Sequence, residues 1–177
     1  MQTTRQDAEF EALRATIRER GTVRLILLPL SLALWAAAAI ATTAAVALPI
    51  AALVPLLVLA AGFEAIYALH LNVERIGRYL QVFHEDRWEQ TAMAFGAPLA
   101  GTGSDPLFAA FFGLATMCNF VPVLLAVPVR LELATIGGAH ALFIVRLIVA
   151  RQVAGRQRAA DLERFRNIKD NDQRRTR

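Results

Sequence analysis

The sequence predicts an all-α integral membrane protein: four transmembrane helices, an N-terminal amphipathic helix, and second and fourth helices that extend into the cytoplasm. Three observations predict it. Of 177 residues, 56% are hydrophobic and 19% charged, with mean hydropathy +0.43, a balance too apolar for an ordinary soluble domain. Leu25 to Phe63 is a run of 39 residues without a charge, about twice the ~20 that cross a ~30 Å hydrocarbon core. The basic residues gather at the ends of the apolar stretches, as topology in a membrane requires. So much of the chain is spent on these stretches that no soluble catalytic domain of normal size fits between them.

Residues 1–24 form a cytoplasmic leader. Thr4 with Asp7 makes a capping box, and Phe10, Leu13 and Ile17 fall at helical spacing before Gly21 ends the pattern, which predicts a short interfacial helix. Such a helix either rests on lipid or offers a docking surface. The 39-residue run must be two crossings, near 25–46 and 49–71, turning around Thr42 to Pro49, where the Leu/Ala pattern breaks. Residues 72–105 read as a cytoplasmic helical loop that closes on a Gly/Pro stretch, 94–105. Its Gly96, Gly101 and Gly103 do not make a phosphate cradle, because no Lys-Ser/Thr follows them and no strand precedes them. Ser104-Asp105-Pro106 starts a third span, 106–129, with a capping side chain ahead of a first-turn proline. The fourth span, 132–151, carries Gly137, Gly138, His140 and Arg146 and is the least apolar. Together the four spans make a transmembrane domain over 25–151. The basic tail, 152–177, repeats Leu162, Phe165 and Ile168 on one side, so the fourth helix is expected to continue and fray near Asn171.

Five Arg precede the first span, three lie between the second and third, and nine Arg or Lys follow Ala150, whereas the 42–49 turn has none and the turn between spans three and four has only Arg130. Both termini and the central loop are therefore expected in the cytoplasm. Ala45-Val46-Ala47 has the small-x-small form of a signal-peptide site, but the apolar stretch is too long for an h-region and runs on into another span, so cleavage after Ala47 is not the preferred reading. Richness in Ala and Arg, with one Lys, suggests a bacterial chain from a GC-rich genome and the inner (cytoplasmic) membrane as its location.

The second span opens a polar stripe. Glu64, Tyr67, His70, Glu74, Arg78, Gln81 and Glu85 follow at steps of 3, 3, 4, 4, 3 and 4, which keeps them on one helix face; Leu69, Val73, Ile76, Leu80 and Phe83 take the other. No proline falls between Pro55 and Pro98, so the stripe extends ~30 Å on one rod. Glu64 sits ~10 Å inside the membrane boundary, where an unpaired charge costs several kcal/mol. Arg146, on the oppositely directed fourth helix, reaches nearly the same depth, and the expectation is a Glu64–Arg146 ion pair with Tyr67 and His70 completing its hydrogen bonds. Snorkelling of Arg146 to the headgroups is the rival. The polar network so defined comprises Glu64, Tyr67, His70, Glu74, His140 and Arg146, continued in the cytoplasm by Arg78, Gln81 and Glu85.

His70 and Glu74 have a spacing that suits a shared metal ion, and Glu64 and His140 would enlarge the set. A di-iron bundle would present Glu-x-x-His, however, and the residue three before His70 is Tyr67. No metal and no other cofactor is assigned, and a structural hydrogen-bond network is preferred. Cys118 is alone, which excludes an intrachain disulfide or a Cys-x-x-Cys knuckle. His84 to Glu89 is the solvated end of the rod, with Trp88 an interfacial anchor. Gly137, Gly138, Ala139 and Ala141 offer a small-residue face for a neighbouring helix, within the unit or in a homo-oligomer.

No GxSxG, HExxH or Ser/His/Asp order argues for an enzyme, and no catalytic residue is named. The function expected first is a non-enzymatic structural or interaction component whose leader, rod and tail present a cytoplasmic docking surface to a membrane or cytoplasmic protein. The alternative is a small proton- or solute-handling transporter or channel using Glu64, His70, His140 and Arg146. A metal-dependent membrane enzyme built on His70 and Glu74 comes third. The lipid bilayer is itself a partner, and the basic tail suits anionic headgroups. Nucleic acid is not expected, since the tail lacks aromatic interleaving or a binding module.

Overall fold

The computed structural model describes residues 2–45, 48–84, 90–91, 94 and 106–175. Among these, all regular structure is helical: α1 (Gln2–Ala45), a 3-10 turn (Pro49–Ala52), α2 (Leu53–Phe83), α3 (Pro106–Leu125) and α4 (Arg130–Arg175). Three helical stretches, in α1, in the 3-10 turn with α2, and in α4, are long and apolar enough to cross a membrane; α3 supplies a shorter apolar helix, Ala109–Leu125. The short member is thus the third helix, while the fourth, weakest by hydropathy, is the longest.

The expected separate leader helix is a correction. α1 runs from Gln2 without a break at Gly21, so the helix already includes Thr4. One glycine costs only ~1 kcal/mol relative to Ala, and the leader's Arg, Glu and Ala lead into a Leu/Ala-rich run that propagates the helix. Pro29 is also accommodated inside α1, leaving the Leu25 carbonyl without its usual donor. At the other end, α4 passes both the expected span boundary near 151 and the expected fraying point at Asn171.

The α3–α4 connection falls earlier than the expected 129/132 boundaries and is longer, leaving residues 126–129 between the helices. α3 stops at Leu125, and Val127 takes φ 50°, a left-handed conformation that a β-branched residue adopts only under constraint. Pro128 follows and disfavours the right-handed helical region for Val127. Glu132 then accepts from the Val129 amide at 3.2 Å, the reciprocal half of a capping box that starts α4.

The chain divides into two compact units, to each of which α1, α2 and α4 contribute a segment. The apolar unit takes Leu25–Tyr67 and Ser104–Arg151. Its core is built on Phe63, which stacks on Tyr67 at 5.7 Å and meets Phe112 and Phe143 edge-on at 5.5 and 6.0 Å, joining α2, α3 and α4 through favourable aromatic geometry. Leu59, Ile66, Val123 and Ile136 fill in around it, all buried. α1 makes its closest approach at Ser31: a Cβ built on Gly62 would lie 2.5 Å from the Ser31 Oγ and 2.6 Å from its Cβ. By contrast Gly138 has nothing within 4 Å, and a Cβ on Gly137 would touch only the Phe120 ring at 3.7 Å, so the small-residue contact falls on α1–α2 and not on the expected face of α4. Leu25, Leu34, Ile40, Leu57, Leu114 and Leu142 point outward, an apolar exterior compatible with a membrane helical bundle.

The charged unit takes Met1–Arg24, Ala68–Gly103 and Gln152–Arg177. Leu80, Val82 and Ala154 are buried in it. Phe165 of α4 meets Tyr79 and Phe83 of α2 edge-on at 5.7 and 6.3 Å, and Phe10 of α1 reaches His84 at 5.5 Å, so apolar residues of leader and tail converge on the end of α2.

Candidate functional site

In the apolar unit, the Arg146 Nη2 donates to the Glu64 Oε2 at 2.8 Å. The same guanidinium lies over the Tyr67 and Phe63 rings, 5.1 and 5.7 Å from their centroids, which adds a cation–π contribution. The side chains of Arg146 and Glu64 remain 36% and 49% exposed, so the pair lies at the edge of the unit and not in its core. Tyr67 meets Arg146 with its ring and sends its hydroxyl to the Ala150 carbonyl at 2.9 Å.

His140 belongs to a different group. Its Nδ1 faces the Ile136 carbonyl at 2.8 Å and its Nε2 faces the Asn119 Nδ2 at 3.0 Å. A carbonyl can only accept and an amide nitrogen only donate, so the proton sits on Nδ1. Asn119 donates also to the Ala52 carbonyl at 2.9 Å, and its Oδ1 accepts from the Trp35 indole at 3.2 Å. Asn119 and His140 are buried, and with their polar atoms engaged they escape the penalty of an unsatisfied group. The trio ties α1, α3 and α4 to the 3-10 turn. Beside it lies a cavity of about 510 Å³ bordered by Trp35, Asn119, Pro49 and Ala39.

The charged unit holds the rest. Arg24 of α1 donates to the His70 Nδ1 at 3.1 Å, leaving the Nε2 toward the Glu74 Oε1 at 3.5 Å. Glu74 is the hub: its Oε2 accepts from the Arg78 Nη1 at 3.1 Å and its Oε1 from the Arg158 Nη2 of α4 at 2.5 Å. Arg78 is only 3% exposed and its Nη2 lies 3.2 Å from the Asp161 Oδ2, which Arg75 also approaches at 3.5 Å. Two further ties join the elements: Tyr79 donates to Glu9 at 2.7 Å, and Lys169 donates to the Val82 carbonyl at 2.7 Å. Burial, then the Glu9 hydrogen bond and charge, push the Tyr79 phenol up to about 12.

Of the residues singled out from sequence, then, Glu64 and Arg146 meet with Tyr67 against them, and His70, Glu74 and Arg78 form a second group. His70 does not complete the Glu64 pair's hydrogen bonds as expected, because Arg24 and Glu74 hold it. His140 joins neither. Among the described residues no three His, Cys, Asp or Glu side chains gather as a metal ion would need, and both oxygens of Glu74 are held by arginines. Gln81 lies beside Arg78 along a small pocket. Glu85, the cluster 85–89 with Trp88, the 95–105 loop and the Val46-Ala47 cleavage point lie outside the described residues. Arg78 faces inward, so this part of the stripe is an internal brace and not a solvated face.

Trp35, Asn119, Arg24, Arg158 and Asp161 were not singled out as partners. Asn119 had a signal, being a carboxamide inside an uncharged apolar run, where a polar side chain must find a partner. Arg158 and Asp161, three apart on α4, share a helix face, but the same spacing describes many solvated pairs. Chemically the arrangement cross-links helices with charge and hydrogen bonds. Comparison with protein-family models, with curated proteins and with solved structures finds no match to this chain.

Proposed function

We propose that the protein is a non-enzymatic, multi-pass component of a bacterial inner membrane, whose charged unit is a braced cytoplasmic platform for a protein partner. One observation carries the reading: the polar side chains of α2 that would line a path or a reaction site are spent on fixed links, Glu74 to Arg78 and Arg158, and Arg78 beside Asp161. A unit stiffened in this way holds its outer face in one geometry, and that preorganisation favours docking. Part of the outer face is carried by Arg164 and Ile168, one turn apart and exposed on α4, and the inside preference of basic flanks supports a cytoplasmic reading for both termini.

Purification in mild detergent after cross-linking in the membrane tests it. A partner should be recovered in fixed stoichiometry from wild type and from an Arg146 variant, but not after charge reversal at Arg164 with Ile168→Asp. Recovery that ignores the α4 face sinks the reading. Reporters fused to each terminus should both report the cytoplasm. The proton- or solute-handling alternative draws on the half-exposed Glu64–Arg146 pair and the 510 Å³ cavity; equal liposome flux for wild type and Glu64→Gln removes Glu64 from it.

A further inference from the structure

The charged unit contains a pocket of about 190 Å³ whose polar lining is Glu74, Arg78, Gln81 and Arg158, with Ile17 and Gly77 beside them. Its polar atoms do not balance. Arg78 is 97% withdrawn from solvent by its 3% exposure, yet its Nε and Nη2 have no hydrogen-bond acceptor. Asp161 neutralises the Nη2 electrostatically at 3.2 Å without forming a hydrogen bond, and its own Oδ2 is equally unmatched. One turn along α2, the Gln81 Oε1 is buried with no donor. Unmatched buried donors and acceptors are costly, so this is an expensive arrangement unless something fills it.

Charge points the same way. Arg75, Arg78 and Arg158 surround Glu74 and Asp161, three guanidiniums against two carboxylates, and an arginine cannot shed its proton to relieve the excess. Glu74 does not oppose an incoming anion, because both its oxygens already face arginines. The missing counterpart must therefore be negative, with at least two acceptor oxygens for Arg78 and Arg158, and must carry one O–H for the Gln81 oxygen. Sulfate and phosphodiesters have the oxygens and lack the proton. A phosphate monoester before its second ionisation (pKa ≈ 6), or inorganic phosphate after its own, carries one O–H beside the acceptor oxygens and has both.

We propose that this pocket binds a singly protonated phosphate group, with Arg78 and Arg158 forking onto its oxygens and Gln81 accepting from its hydroxyl. The group comes either from a monoester lipid headgroup such as phosphatidic acid or from phosphate in solution. Arginine forks match phosphate geometry closely, and a basic pocket between helices next to a bilayer is a recognised headgroup site.

The test uses the full chain in detergent and in nanodiscs. Inorganic phosphate should raise the thermal midpoint saturably, and more than sulfate at equal ionic strength, if the group is free phosphate. If it belongs to a lipid, phosphate should have little effect, while native mass spectrometry should retain phosphatidic acid in preference to phosphatidylglycerol and phosphatidylcholine. Either pattern supports the site and identifies its source. Arg158→Gln should weaken whichever binding is found about ten- to a hundredfold, as for loss of a charged hydrogen bond. Because Arg158 also holds Glu74, Gln81→Leu is the decisive variant: no side-chain partner is lost on its removal, so the fold should stand while the preference for the protonated ligand falls about tenfold. Failure of both phosphate and phosphatidic acid to outdo their controls, or wild-type binding by Gln81→Leu, overturns the proposal.

Discussion

Gly62→Ala adds one methyl at the closest approach of α1 and α2. The new carbon would lie 2.5 Å from the Ser31 Oγ, 2.6 Å from the Ser31 Cβ and 3.8 Å from its Cα. Ordinary carbon contacts lie at ~3.5–4.0 Å, so the helices must part by roughly 1 Å. Rotation of the hydroxyl removes only the first clash, since the Cβ is fixed to the backbone. Overpacking of this kind costs ~1–3 kcal/mol, against which the higher helix propensity of Ala returns ~1 kcal/mol. The net expectation is destabilisation by up to ~2 kcal/mol, about thirtyfold in the unfolding constant. Reversible unfolding in mixed micelles measures it. Ser31→Gly removes both close atoms and leaves only the 3.8 Å contact, so the double mutant should recover the loss apart from the glycine's own helix cost, and the cycle should give a coupling of ~1–3 kcal/mol. Ser31→Ala, which keeps the Cβ, should rescue far less. Gly138→Ala is the control: with nothing within 4 Å, it should be neutral or stabilising by up to ~1 kcal/mol. If Gly62→Ala behaves like Gly138→Ala, the helices do not touch where described.

Other perturbations have equally definite outcomes. Glu64→Gln leaves the Arg146 guanidinium at the edge of the apolar unit without its countercharge and should cost about 1 kcal/mol in thermal or micellar unfolding. Arg146→Gln should cost a similar amount, and the double variant little more than either single one; additive losses would contradict the pairing. Asn119→Leu leaves the Trp35 indole N–H and the His140 Nε2 unmatched at once, for a loss of ~2–4 kcal/mol and a shift in Trp35 emission, best read in a Trp88→Phe background. Tyr79 should ionise near pH 12 by phenolate absorbance in a Tyr67→Phe chain. Its value is raised on folding, so its contribution is intact below the ordinary tyrosine value near 10 and disappears as pH climbs through 12. Glu9→Gln should lower that midpoint only in part, because burial is the larger cause.

Sequence pattern carried the all-helical fold and the approximate starts of α2 and α3, because uncharged length and proline position are local properties. It also brought Glu64 and Arg146 into one hypothesis, since a charge in an apolar run demands a countercharge and few were on offer. The rest needed three dimensions. The single α1 helix was missed because Gly21 has the look of a stop, while the cost of one glycine is small beside the gain of continuing. The close packing at Ser31–Gly62 was missed because an isolated Gly among Ala and Phe is less conspicuous than the Gly137-Gly138 pair. His140 was grouped with the other titratable residues by chemical type, whereas its neighbours are an amide and a main-chain carbonyl. The inward aim of Arg78 could not be read from a period of 3.6, which fixes what shares a face but not what that face meets.

The link between Glu64 and Arg146 spans 82 positions of the chain, and that interval has a meaning during biosynthesis. At ~5–20 residues per second, roughly 4–16 s pass between the emergence of the acid and that of its base. If α1 and α2 enter a bilayer as a hairpin, α2 carries throughout that time a carboxyl whose Arg146 partner is not yet made. Such a carboxylate rides shallow near the headgroups until α4 arrives. On that reading the final seating of the first two helices waits for α4, and a chain stalled before α4 would leave a segment whose depth is still unsettled.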